Sequence, residues 1–165
     1  EFYHDNGQSL GNDRNYDSSG DTNTLNIGGY TAAGTTITGS AGNDVITINS
    51  SANGSINAGA GNDVITIGGG SGTIDGGAGT DTLVFTNGMT KGLHQIKNME
   101  VIDLTSGNNT LNQVTSDNLA ANNGVYVKGG YGDKVNIGSQ NLLGSNTKGF
   151  TQNGTKDVLK SFNLL

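Results

Sequence analysis

The sequence predicts an all-β protein: a parallel β-solenoid closed by a β-rich C-terminal cap. Three observations carry that prediction. The octapeptide AGNDVITI stands at 41–48 and again at 60–67, nineteen positions on. A large aliphatic residue returns about every nine positions, at Ile37, Ile46, Ile56, Ile65, Ile74 and Leu83. The chain is poor in apolar residues, at 32%, yet holds 29 Gly, 23 Asn and 19 Thr, with no Cys, Pro or Trp. So little apolar mass cannot fill a large conventional core, because ordering the backbone costs roughly 1–2 kcal/mol per residue. Disorder is the alternative that such a composition raises. The regular spacing of isoleucines argues against it.

Taken in order, residues 1–24 are polar and read as a linker or a ragged N-terminal cap. Asp13, Asp17 and Asp21 recur there every four residues and could hold an ion or simply be solvated. Leu25 and Ile27 look like decayed coils at the start of a roll spanning 25–86. Inside the roll a second apolar residue follows two positions after the first at Ile48, Ile67 and Phe85, and this period-two alternation marks strands. A nine-residue unit holds one short strand and a Gly-rich turn, and two units make a coil. Coils stack at roughly 4.7–4.9 Å, so every second turn lies on the same edge.

The charges obey that geometry. Residues 15–90 carry Asp17, Asp21, Asp44, Asp63, Asp75 and Asp81 but no Lys or Arg. Asp44, Asp63 and Asp81 are 19 and 18 residues apart, which places them in one column on one edge. The intervening turns carry Gly54 and Gly72 where an aspartate would stand, so the opposite edge is neutral. A carboxylate taken from water without a base needs solvation, hydrogen bonds or a cation. Each Gly-Asn-Asp could by itself be an Asx turn; a column of three without a basic partner points to a cation. Ca²⁺ suits such a place because it accepts 6–8 oxygens, main-chain carbonyls included.

The third unit, GGAGTDTLV at 76–84, resembles the nonapeptide of the repeats-in-toxin (RTX) family, G-G-x-G-x-D-x-U-x with U a large aliphatic residue. GSAGNDVIT at 39–47 and AGAGNDVIT at 58–66 depart from it at Ser40 and Ala58. The resemblance implies a parallel β-roll with Ca²⁺ between same-edge turns, held by carbonyls at the first and third repeat positions and by the aspartates. Its ligand candidates are Gly39, Ala41 and Asp44; Ala58, Ala60 and Asp63; and Gly76, Ala78 and Asp81. Three such turns leave two gaps, so two ions are expected, with Asp63 serving both and others possible elsewhere. Metal binding would then supply folding free energy.

After the roll, lysines appear and glycine thins out, and 87–165 reads as a β-rich cap that continues the sheets. A strand is expected at 99–104, one helical turn at 116–121 capped by Ser116 or Asp117, and two strands around the Gly-rich turn in 125–137. Here the chain resembles the segment that follows the repeats in large adhesins exported by type I secretion, through N-x-E-x-I-D-L at 98–104 and G-D-x-V-N at 132–136. Asp133 could be a further ligand or a turn cap. SFNLL at 161–165 has the short apolar character of an uncleaved type I export signal, and a buried last strand would explain it equally well.

These readings lead to a non-enzymatic, calcium-binding C-terminal module of a secreted RTX adhesin, located outside the cell or on the bacterial surface. Its partners would be the type I secretion machinery in transit and the adhesin domains upstream. The only histidines, His4 and His94, are far apart in sequence, and no nucleophile motif accompanies them. No basic stripe suits nucleic acid, and no apolar run is long enough to span a membrane. Two alternatives stay open: an accessory domain of a secreted hydrolase or epimerase, and an ice- or polysaccharide-binding solenoid. The latter needs a regular outward row, and Thr47–Thr66–Val84 breaks after two residues.

Overall fold

The computed structural model describes residues 22–28, 31–86, 88–123, 125–130 and 132–136, without the Ser116 side chain, and the backbone of short strands at 2–5, 14–15, 147–148 and 163–164. All but the strands at 147–148 and 163–164 form a parallel β-solenoid. In chain order the roll comprises β1 (Phe2–Asp5), β2 (Arg14–Asn15), β3 (Thr24–Ile27), β4 (Thr36–Ser40), β5 (Val45–Ile48), β6 (Ser55–Gly59), β7 (Val64–Ile67), β8 (Ile74–Asp75) and β9 (Thr82–Phe85). Odd-numbered strands form one wall and even-numbered strands the other, all parallel. Asp13, Asp17, Asp21 and the 161–165 side chains lie outside the described residues.

The period-two alternation of the sequence fixes which face is buried. Leu25, Ile46, Ile65 and Leu83 stack in one row of the odd wall, and Ile27, Ile48, Ile67 and Phe85 in the next. Ile37, Ile56 and Ile74 form the facing row of the even wall. All are buried. Burying an aliphatic side chain of this size stabilises by about 1.5–3 kcal/mol. Each coil therefore contributes only a few such terms and depends on the coils above and below it.

The cross-section changes after β9. The cap contains β10 (Thr90–Gly92), a 3-10 turn (Leu93–Gln95), β11 (Ile96–Lys97), β12 (Val101–Asp103), β13 (Thr110–Asn112), α1 (Ser116–Ala120), β14 (Tyr126–Lys128) and β15 (Lys134–Val135). β12 and β14 extend the odd wall, β11 extends the even wall, and β10, β13 and β15 open a third. The expected strand at 99–104 is thus present as β12. β14 and β15 flank the Gly-rich turn as predicted but belong to different walls, parallel to β12 and β13. Two further strands, β16 (Thr147–Lys148) and β17 (Asn163–Leu164), pair antiparallel.

The even wall ends at β11, and α1 occupies the next coil where a strand would otherwise continue it. Its cap is Thr115 rather than Ser116 or Asp117. Thr115 is extended, at φ −109° and ψ 164°, so its hydroxyl can accept the Asn118 N–H at 3.2 Å. Just beyond the helix, buried Asn122 accepts the Met99 N–H (3.0 Å) and donates to Ile96 O (2.9 Å). That amide closes the β11 end with hydrogen bonds, where an uncovered strand edge would invite aggregation.

Candidate metal centre

The two residues of each Asn-Asp turn separate by side. Asn43 and Asn62 point outward and stack: Asn62 N–H donates to Asn43 Oδ1 (2.7 Å) and Thr80 N–H to Asn62 Oδ1 (2.8 Å). The aspartates that follow point inward. Asp44, Asp63 and Asp81 are at most 1% exposed. They form the single column that their spacing predicts, since Val45, Val64 and Thr82 are paired in register.

One hydrogen bond repeats up the column. Asn23 N–H donates to Asp44 Oδ1 (2.8 Å), Asp44 N–H to Asp63 Oδ1 (2.7 Å), and Asp63 N–H to Asp81 Oδ1 (2.8 Å). Asp81 N–H then donates to Glu100 Oε2 at 2.7 Å. The ladder is therefore longer than the repeats suggest. Glu100 stands 19 residues after Asp81, the same interval as Asp44 to Asp63, so the spacing alone could have located it.

The second oxygens distinguish the rungs. Asp44 Oδ2 accepts the Ser40 N–H (2.6 Å) and the Ser40 hydroxyl (2.9 Å). Asp63 Oδ2 and Asp81 Oδ2 are buried and accept no hydrogen bond from the described residues. Burial pushes the Asp63 carboxyl up to about 6, against the lowering effect of the Asp44 N–H, and the charges of Asp81 and Asp44 add to the rise. Asp81 is also raised, first by burial and then by Glu100 and Asp75, with the Asp63 N–H opposing. The described ion pairs, Lys97–Asp75 (3.9 Å) and Lys128–Asp103 (4.0 Å), leave the column without a basic partner.

The carbonyl candidates divide in two. Gly39, Ala58 and Gly76, the first-position residues, are buried beside the column. A Cβ on Gly39 would lie 2.1 Å from Ala58 O and 2.6 Å from Asp44 Oδ2; one on Gly76 would lie 2.2 Å from Asn98 O and 2.7 Å from Asp81 Oδ2. The carboxylate oxygen and the carbonyl of the following coil thus share one small cradle. The third-position residues sit further out: Ala41 and Ala78 are exposed and Ala60 half-buried. Ala60 bridges Ala78, whose carbonyl already accepts the Gly61 N–H (2.8 Å). Of the candidate carbonyls, Ala58 O is brought beside Asp44, whereas the carbonyl beside Asp81 is that of Asn98, which the repeats do not mark.

Among the described residues no three His, Cys, Asp or Glu side chains converge on one point. A cation here would meet carboxylates one coil apart, with main-chain carbonyls supplying the remaining oxygens. That set suits a hard ion such as Ca²⁺, and the two unpartnered carboxylate oxygens are the feature that fits one. Ca²⁺ held there would neutralise the buried charge.

The neutral edge holds a cation of its own. Lys91 is buried, and its Nζ donates to Gly72 O (2.8 Å) and Gly70 O (3.1 Å), while Gln95 Nε2 donates to Ser71 O (2.9 Å). Burial lowers the Lys91 ammonium to about 8. The absence of aspartate on this edge marked it as neutral; Lys91 itself had no repeat signal to expose it. Asp133 engages both oxygens, with Asn109 N–H at 2.9 Å and Gly130 N–H at 2.6 Å, and so caps its turn. His94 is exposed on the 3-10 turn. The outward row Asn26–Thr47–Thr66–Val84–Asp103 repeats a residue type only once.

No protein-family model, curated protein or solved structure matches the chain significantly.

Proposed function

We propose that this chain is a non-enzymatic, calcium-binding module of RTX type, from the C-terminal region of a secreted bacterial adhesin. The observation that carries the reading is the column of buried carboxylates, in which Asp63 Oδ2 and Asp81 Oδ2 have no described partner. Leaving ionised carboxylates buried without a counter-charge is costly. Calcium that binds only the coiled form would shift the equilibrium towards it. Where calcium is scarce the chain stays extended and can be threaded through a type I export channel. Outside the cell, calcium near the ~10⁻⁴–10⁻³ M affinity typical of extracellular modules drives coiling. The folded module then hinders back-sliding and supports surface adhesion by the domains upstream.

Circular dichroism of the full chain, with chelator and then with millimolar Ca²⁺, tests this. A gain of β signal and a higher melting temperature with Ca²⁺, and not with equimolar Na⁺, is the expected result. Identical spectra and melting curves in both conditions would overturn the proposal.

A further inference from the structure

We infer that the calcium column is displaced one coil towards the C-terminus from the position the repeats mark, with Glu100 and the Asn98 carbonyl completing the last site and Ser40 closing the first. This deepens the calcium reading above and rests on it. The sequence places two ions in the gaps Asp44–Asp63 and Asp63–Asp81. The structure distinguishes these gaps by the state of the second carboxylate oxygen.

At the first rung, Ser40 stands where the next two coils have Gly59 and Gly77. Those glycines have φ of +112° and +97°, a left-handed backbone that serine rarely adopts, and Ser40 is not among the positive-φ residues. Its N–H and hydroxyl both turn onto Asp44 Oδ2, at 2.6 and 2.9 Å. Three neutral donors thus satisfy Asp44: Asn23 N–H on Oδ1, and the two Ser40 groups. The oxygen that would face a cation is already occupied.

At the third rung the opposite holds. Asp81 is 0% exposed, its Oδ2 has no described partner, and that oxygen shares the Gly76 cradle with Asn98 O. Among the described residues Asn98 is one of three non-glycine residues with positive φ, at +48°, a conformation that asparagine tolerates better than most. Two residues on, Glu100 is tied to the same rung through the Asp81 N–H at 2.7 Å. A buried unpartnered carboxylate oxygen and a main-chain carbonyl therefore share one cradle, and a second carboxylate is hydrogen-bonded to the same rung. Asp63 Oδ2, also unpartnered, provides the other site. Asp81, and not Asp63, becomes the rung shared by two ions.

Isothermal titration with CaCl₂, supported by circular dichroism of each variant, separates the two placements. Wild type is expected to bind two ions in the column. Glu100→Gln, which keeps an oxygen for the Asp81 N–H, is expected to weaken one ion at least tenfold and spare the other. Asp44→Asn is expected to change calcium affinity less than twofold. Ser40→Gly, which restores the repeat consensus, is expected to add a third ion. Loss of one ion in Asp44→Asn with an unchanged Glu100→Gln titration would overturn the displacement and leave the calcium reading standing. Absence of calcium binding by the wild-type chain would overturn both.

Discussion

At the scale of single residues, the column sets two demands against each other. Oδ1 of each aspartate satisfies a main-chain amide of the coil below, which favours the ionised form. Burial opposes it and prevails at Asp63, where the carboxyl is raised to about 6. A raised value in the folded state means that folding favours the protonated acid. The stabilising contribution is fully present below the unfolded value near 3.8 and is lost as pH rises through about 6. The calcium-free chain should therefore gain β structure as pH falls from 7 towards 5, and Asp63→Asn should flatten that response and raise calcium-free stability at pH 7. Circular dichroism melts in chelator across this range measure both effects; a wild-type stability that rose with pH over the same interval would contradict the assignment.

The aspartates were legible from the sequence because their 18- and 19-residue spacing equals the length of one coil. Ser40 was legible only as a departure from the consensus. Its effect depends on a backbone turn whose φ the sequence does not print. Lys91 was hidden for a different reason: its two carbonyl partners lie 19 and 21 residues back, on a turn defined by glycines rather than by any charge. Long flexible side chains find such partners through tertiary placement, which periodicity does not encode.

At the scale of elements, several glycines of the roll stand where the neighbouring coil leaves no room for a side chain. Gly76 illustrates this, since a Cβ there would meet Asn98 O at 2.2 Å and Asp81 Oδ2 at 2.7 Å. Both obstacles belong to the column and cannot move without loosening the rung. Gly76→Ala should cost about 1–3 kcal/mol, the range for forced overpacking, as read by urea unfolding in the presence of calcium. The position one coil below is Ala58, which shows that the column tolerates a methyl where the geometry leaves room for it. A Gly76→Ala variant as stable as wild type would mean that the cradle is softer than drawn. The strands needed no such argument: alternating Ile-x-Ile placed the buried rows correctly, and the walls followed. The helix begins at Ser116 as expected, but its cap is Thr115 rather than Ser116 or Asp117, because a threonine and a serine adjoin and only the extended backbone of Thr115 decides between them.

At the scale of the whole molecule, one buried cluster runs through roll and cap, and no single coil has a core of its own. Such quasi-one-dimensional stacks take their stability from interfaces between adjacent units. The expected architecture of roll and cap is present, with the third wall as the part that periodicity could not show. The third wall begins where the nine-residue period stops, so there was no repeat left to extrapolate. The cap also solves a problem the roll cannot, because α1 and Asn122 end the even wall with satisfied amides.

The octapeptide shared by two coils makes the length of the rod adjustable. Excision of residues 45–63 rejoins Asp44 to Val64 and leaves AGNDVITI unbroken at the seam. The stacked aliphatic rows and the aspartate ladder on either side find chemically equivalent mates, and the exposed Ser71–Asn53 bond is lost. The shortened chain should therefore fold to a rod about one strand spacing, ~4.8 Å, shorter. Small-angle scattering in calcium would register the contraction, and an insertion of the same nineteen residues the matching extension. A protein built this way can vary its reach by whole steps through unequal recombination between its two identical copies, without redesigning either end.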